Sequence, residues 1–346
     1  MAIIKDFINK CLSVLRLGQE WVNKLIVGIT DAAKSISYVE TMIPAQADTL
    51  HKEIKKIDNK TLMHEYELLT RWTIKELNLE RKHVKIGIDV TEDKTWVEND
   101  FGNTRPSTHK GFHHIKTYQF LNIAIIEPYF LPLMSIPYRQ IDSLDNLTID
   151  LLKYAKTLPI IIDLVLFDRG FYIAHLIDYL ENLRGGKPTP YLMFVPKTND
   201  VKNYIDKTEF FNVFNHTFEF YKEKSGWKPS TKIIIWKPDP EVFPDIAWPF
   251  ATNQEPCIET IDEYPKRWSH ETGFRVHDEA RIKSKSNVLL VRFFYHLLGM
   301  VLILLWRLQS VNKYHIIFKR FLESVKCKYK DLIIYPYPPP LEIYFY

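Results

Sequence analysis

Ile160-Ile-Ile-Asp-Leu-Val-Leu-Phe-Asp168 is a near-continuous apolar run that stops on an acid and is followed by Arg169-Gly170. Such runs are typical of strands buried on both faces of an α/β sheet. Phe171 to Leu183 then takes helical spacing. Strand, turn and helix therefore follow one another as in an α/β unit. A second stretch ends in the same way. Val84-Lys-Ile-Gly-Ile-Asp89-Val alternates apolar and other residues and reaches an acid, which is a strand signal.

Thr117–Glu127 and Pro132–Tyr138 read as further strands. Asp142–Thr157 reads as a helix through Leu144, Leu147, Leu151, Leu152 and Ala155. Four more strands are expected at Tyr191–Pro196, Phe210–Tyr221, Thr231–Trp236 and Ile246–Asn253, and the chain turns helical from Tyr264 onward. Residues 1–80 have helical spacing, interrupted at Pro44, with Lys52, Lys55, Lys56 and Lys60 along the second half. The tail, Tyr335-Pro-Tyr-Pro-Pro-Pro-Leu-Glu-Ile-Tyr-Phe-Tyr346, reads as an extended strap.

Composition narrows the chemistry. The 346 residues are 46% hydrophobic and 25% charged, which are globular values, and leave no place for a disordered or collagen-like chain. Lys and Arg total 46 against 42 Asp and Glu, a net charge of +4, so wholesale neutralisation of DNA is not the design. Cys11, Cys257 and Cys327 are odd in number and far apart, which argues against a zinc ribbon or a disulfide framework and suits a reducing cytoplasm. No glycine-rich phosphate loop is present, so nucleotide-cofactor enzymes lose their prior. The N-terminal apolar runs are broken by Lys5, Asp6, Lys10 and Arg16, so no signal peptide is expected. In Val288–Leu308, Arg292 and Arg307 leave fourteen residues between them, short of the roughly 18–20 apolar residues of a span. A buried core helix is expected there, with no membrane partner.

Three groups carry the chemistry. Asp89 and Asp168 stand where strands end, the edge at which ligand sites form in open α/β sheets. Two such carboxylates side by side repel unless a cation lies between them, and carboxylates are the ligands that hard divalent cations prefer. Asp163 competes for the role of second acid from within the apolar run. Arg169-Gly170 also reads as a plain turn with Gly170 at positive φ. The third group is Tyr264-Pro-Lys-Arg267-Trp-Ser-His-Glu271-Thr-Gly-Phe274-Arg275, where offsets of three, seven and ten place Arg267, Glu271 and Phe274 on the face of Tyr264. One reading is an exposed i,i+4 ion pair, worth little. The other makes Glu271 a third metal ligand and Arg267 a phosphate anchor, with Tyr264 donating a hydrogen bond beside it.

Together, Ile88-Asp-Val-Thr91, Phe167-Asp-Arg-Gly-Phe-Tyr172 and Tyr264-x2-Arg267-x3-Glu271 resemble the DDE transposases of insertion sequences of the IS4 type, over roughly residues 84–310. That signature continues to a lysine seven residues on, where this chain has Asp278; Arg275, Arg281 and Lys283 are the candidates for its role. The resemblance implies an RNase H-like mixed-sheet core with a β-rich insertion that helps hold the DNA end and its hairpin. It implies Asp89, Asp168 and Glu271 as the catalytic and metal-binding acids. Asp89 would bridge two Mg²⁺ ions, for which Mn²⁺ can substitute. DNA contacts would come from Tyr264, Arg267, Arg275, Arg281 and Lys283. The partners implied are element ends and target DNA, with a homodimer in the DNA complex, no nucleotide cofactor and a prokaryotic cytoplasm. The alternative is a DNA-binding relative without catalysis, which the missing lysine supports.

The expected organisation is a helical region at 1–80, core parts at 81–184 and 256–330, an insertion at 185–255 and a tail at 331–346. Trp227, Trp236 and Trp248 in the insertion are candidates for stacking on an unpaired base. Basic surplus is found at His51–Lys85 (nine Lys/Arg to six acids), Tyr264–Arg292 (seven to three) and Lys313–Lys330 (six to one).

Overall fold

The computed structural model describes residues 51–52, 54–95, 102–108, 111–112, 115–181, 187–219, 228–239, 242, 246–312 and 317–329. The expectations on residues 1–50, on Trp227, on the 331–346 tail and on Lys313 and Lys330 lie outside them. In chain order the elements are α1 (Asn59–Glu76), β1 (His83–Thr95), β2 (Arg105–Pro106), β3 (Lys116–Glu127), β4 (Leu131–Tyr138), α2 (Leu144–Thr157) and β5 (Ile161–Phe167). There follow α3 (Ala174–Glu181), β6 (Tyr191–Phe194), α4 (Asn199–Asp206), β7 (Phe211–Thr217), β8 (Ser230–Trp236) and β9 (Trp248–Thr252). The chain closes with α5 (Ile258–Ile261), α6 (Trp268–Ala280), α7 (Leu289–Asn312) and α8 (Phe318–Tyr329). Single 3₁₀ turns at Arg169–Phe171 and Tyr264–Arg267 precede α3 and α6.

Among the described residues nine strands form one mixed sheet in the order β2-β3-β1-β5-β6-β9-β8-β7, with β4 also on β3. β1, β5 and β6 run parallel, and β9 and β8 add antiparallel strands beyond β6. The strand-rich stretch expected at 185–255 thus extends the same sheet. By packing, the described residues fall into two compact units. One comprises those within 51–78, 92–120 and 273–329, and the other those within 79–91 and 121–272.

In the first unit, Asp58 caps α1, its carboxylate accepting from the Thr61 N–H at 2.6 Å. Leu62, Tyr66, Leu69, Thr73 and Ile74 bury one face. α7 is long and apolar enough to cross a membrane by length and composition, but 89% of its most apolar window is buried inside the chain. The residues that interrupt that window are structural. Arg292 donates to Asp93 at 2.7 Å and to the Ser286 carbonyl at 2.6 Å, and lies over the Tyr118 ring. His296 stacks on Phe120 with centroids 4.4 Å apart. Gly299 lets α7 approach α6 closely, because a Cβ there would meet His277 Nε2 at 2.7 Å.

In the second unit, β5 is buried only from Leu164 to Phe167; Ile161 and Asp163 are exposed. This corrects the expectation of a run buried throughout. The reason is a register change. His83 and Val84 stand opposite Ile161 and Ile162, but Lys85 stands opposite Leu164, so Asp163 bulges out of the ladder and its carboxylate meets His83 Nδ1 at 2.6 Å. From there pairing is regular to Ile88 opposite Phe167. Gly170 sits in the 3₁₀ turn with no positive φ, which corrects the turn expected at that glycine.

Candidate active site

Asp89 and Asp168 each follow the last pair of the β1–β5 ladder, Ile88 opposite Phe167. They therefore leave neighbouring parallel strands at the same level. Asp168 does so at a strand end, where its carbonyl accepts from the Phe171 N–H at 3.1 Å. Asp89 does not, because β1 continues to Thr95. It stands at the end of the β1–β5 pairing and not at the end of the strand. Asp163 lies at the opposite end of β5, on the bulge with His83.

The 3₁₀ turn and α6 bring in the other groups. Lys85, Gly87 and Asp89 share one face of β1, since successive side chains alternate. All three meet the segment 263–270. Lys85 pairs with Glu263 and with Glu127 at 2.9 Å, and Lys266 closes the set at 3.0 Å from Glu127 and 2.8 Å from Glu263. Both carboxyls, Glu127 and Glu263, are held below the usual carboxylate range by these lysines, against the effect of burial at Glu263. Gly87 faces the His270 ring, which would lie 3.2 Å from a Cβ at that position. Asp89 Oδ2 accepts from Arg267 Nη1 at 3.3 Å, and its Oδ1 from the Val90 N–H at 2.8 Å.

Arg267 is the centre of the arrangement. Its second nitrogen, Nη2, donates to Glu271 Oε1 at 2.6 Å, so the expected i,i+4 pair forms and one guanidinium bridges the first and third acids. Its side chain is 9% exposed, while that of Glu271 is 48% exposed. Asp89, Asp168 and Glu271 all act electrostatically on this guanidinium and hold it in the charged form against burial. Burial raises Asp89 to about 6, and the like charges of Asp168 and Glu271 add to that, against the Val90 N–H and Arg267. His270 is fully buried, edge-on to Phe130, and burial beside Arg267 lowers it to about 3.

Tyr264 is first a core residue. Its ring packs on Phe194 and Phe250 with centroids 5.9 and 5.0 Å away, and Arg267 lies 5.7 Å from its ring centroid. Trp236 and Trp248 are opposite one another in β8 and β9 with rings 6.3 Å apart, Trp236 against the core cluster of Tyr264 and Trp248 about one third exposed. The other three candidates belong to the first unit. Arg275 and Lys283 are exposed there, while Arg281 is engaged with Asp278 at 3.4 Å and Asp93 at 3.8 Å.

By chemistry the donor set, the carboxylates of Asp89, Asp168 and Glu271, is of the kind a hard divalent cation prefers. In this arrangement, however, no three His, Cys, Asp or Glu side chains among the described residues stand close enough together to hold a metal ion. The positive charge at the centre is supplied by Arg267. Sequence reading missed the Lys85–Glu127–Glu263–Lys266 set and the approach at Gly87. The signal available was the shared parity of Lys85 and Gly87 with Asp89 on one strand face.

No family model matches the chain, and no curated protein does. Solved structures do. The cryo-EM structure of a piggyBac transposase synaptic complex with hairpin DNA superposes with a TM-score of 0.57 at 10% identity, covering 96% of this chain and 78% of that one. The chain therefore has a mixed α/β fold similar to that of a transposase.

Proposed function

We propose that the chain is a DDE transposase, a polynucleotidyl transferase acting on the ends of a mobile element. The observation that carries the reading is that Asp89 and Asp168 each follow the last pair of the parallel ladder, with Arg267 bridging Asp89 to Glu271 from one turn and helix. The strand order β4-β3-β1-β5-β6 fits an RNase H-like core. The IS4-type signature fits through Tyr264, Arg267 and Glu271. The transposase-like fold supports the same class.

In this reading Asp89, Asp168 and Glu271 would hold Mg²⁺ or Mn²⁺, which would supply activation of the attacking oxygen and stabilisation of the leaving one. Water attacks a phosphodiester at the element end, the bond to the 3′-oxygen breaks, and the strand leaves as a 3′-hydroxyl while the phosphate stays on the 5′ side. That hydroxyl then attacks a second phosphodiester in the opposite strand or in target DNA, losing its proton as the 3′-oxygen of the attacked strand is expelled and takes one up. Arg267 holds a non-bridging phosphate oxygen through paired N–H donors. Tyr264 backs the guanidinium from the core side, and Trp248 offers a partly exposed ring to an unpaired base. Arg275 and Lys283 are open to backbone phosphates.

The test is Mg²⁺-dependent nicking of a plasmid carrying the gene with its own flanking DNA. Asp89→Asn, Asp168→Asn and Glu271→Gln should each abolish nicking, while Asp163→Ala should retain it. Unimpaired nicking in any of the first three removes that residue from the site, and a dead Asp163→Ala beside an active Asp168→Asn moves the second acid to Asp163.

A further inference from the structure

Resting on the proposed metal-dependent reading, the geometry points to Arg267 as a resident internal cation that occupies the acid cluster until metal enters and is displaced when it does. Three observations converge. The guanidinium bridges Asp89 and Glu271, the first and third acids, at 3.3 and 2.6 Å. Its side chain is nine-tenths buried, and its Nε has no hydrogen-bond partner among the described residues. Asp168, like Asp89, directly follows the last pair of the β1–β5 ladder, which sets the second acid level with the first.

The charge logic is direct. Carboxylates near one another repel, and a cation between them offsets that repulsion. Arg267 is that cation in the arrangement described. A divalent ion drawing the same oxygens together would lose affinity to the positive charge already there. Arg267 has a second post open to it, because its planar fork of donors matches a phosphate as well as a carboxylate. Loading with metal would thus release the side chain that anchors substrate phosphate. By reciprocity, phosphate capture by Arg267 would favour metal binding at the acids it vacates. Arg267 acts here as a positioning residue for the empty site and as a ligand-binding residue for the filled one.

The experiment uses the full chain, free of DNA and metal. Mn²⁺ affinity is measured by calorimetry or electron paramagnetic resonance for wild type, Arg267→Gln and Asp168→Asn. In parallel, phenylglyoxal labelling of Arg267 in wild type is read by peptide mass spectrometry with and without Mg²⁺, with the buried Arg292 as internal reference. Arg267→Gln should bind Mn²⁺ about tenfold more tightly than wild type, and Mg²⁺ should raise labelling of Arg267 severalfold with Arg292 unchanged. If Mn²⁺ binds wild type and is weakened by Asp168→Asn, yet Arg267→Gln binds no more tightly or Mg²⁺ leaves Arg267 labelling unchanged, the displacement is wrong and the metal site stands. If wild type and Arg267→Gln both fail to bind Mn²⁺, the metal reading itself falls, and this inference with it. Should Arg267→Gln not fold, the labelling of wild type decides alone.

Discussion

Gly87→Ala adds one methyl group between β1 and the segment that carries Arg267 and Glu271. Its Cβ would lie 3.2 Å from His270 Cδ2, 3.2 Å from Ile126 Cγ2 and 3.5 Å from His270 Cβ. Carbon atoms rest at about 3.5–4.0 Å, so each neighbour must give by a few tenths of an ångström. Neither has room: His270 is 1% exposed and held edge-on to Phe130, and Ile126 is 4% exposed. Overpacking of this kind costs about 1–3 kcal/mol. The buried methyl returns about 0.8 kcal/mol, and the stiffer unfolded chain about 0.4–1 kcal/mol. At mid-range the balance is a net loss of about 0.5 kcal/mol. Gly170→Ala is the matched control. Nothing lies within 4 Å of its Cβ and its φ is not positive, so it should be neutral or stabilising by up to about 1 kcal/mol. Urea unfolding of both variants measures the difference, which should be about 0.5–1.5 kcal/mol in favour of Gly170→Ala. The push at Gly87 also falls on His270, next to Glu271, so nicking should drop further than stability, toward the hundredfold loss that follows a 1 Å misplacement. Equal stability of the two variants would refute the close approach as a constraint.

Other outcomes follow from the same geometry. Gly299→Ala should cost about 1–3 kcal/mol in thermal or urea unfolding, because its Cβ would stand 2.7 Å from the buried His277 ring, and wild-type stability would disprove that contact. Acid should loosen the first unit before the second. Buried His296 is held far below its usual range, so the unfolded chain takes up a proton below about pH 6.5 that the folded one refuses, and stability falls by up to about 1.4 kcal/mol per pH unit as pH drops. In the second unit His270, lowered to about 3, and His216, also lowered by burial, act in the same sense. Asp89, raised to about 6, and Glu181, raised by burial, act in the opposite sense and offset them, because folding favours their protonation above their unfolded values. Hydrogen exchange in α7 should therefore accelerate first between pH 6.5 and 4, and His296→Phe should flatten that response; exchange that begins in β5 would contradict it. Lys85→Met leaves Glu263 and Glu127 to share Lys266, so exchange should rise in 258–267 and nicking should fall, with partial recovery in Lys85→Arg.

Much of this architecture was legible because its signals are local. The alternation at 84–90, the apolar run at 160–168 and the spacing of Tyr264, Arg267 and Glu271 each report on a few neighbouring residues, and β1, β5 and the Arg267–Glu271 pair appear where those signals are. What escaped was set by distant partners. Asp163 sits in an apolar run yet is exposed, because strand pairing and not composition expels it. Arg292 and His296 read as flaws in an apolar helix; Asp93 and Phe120, remote in sequence, make them fittings. The short helix α4 has Val201, Tyr204 and Ile205 at helical spacing, but over eight residues that pattern is too brief to stand out among polar neighbours. At the site, the three acids could be nominated one by one, but the cation already among them depends on a 178-residue separation that spacing does not encode.

The bulge at Asp163 also works as a counter. Before it, partners on β1 and β5 differ by 78 in residue number; after it, by 79. With the first offset, Asp89 would stand level with Phe167, an apolar residue buried in the sheet; with the second, it stands level with Asp168. One extra residue at the far end of a strand thus chooses whether two acids meet at its other end. The alignment of the site is written some five residues away from it, in a place where neither acid is touched.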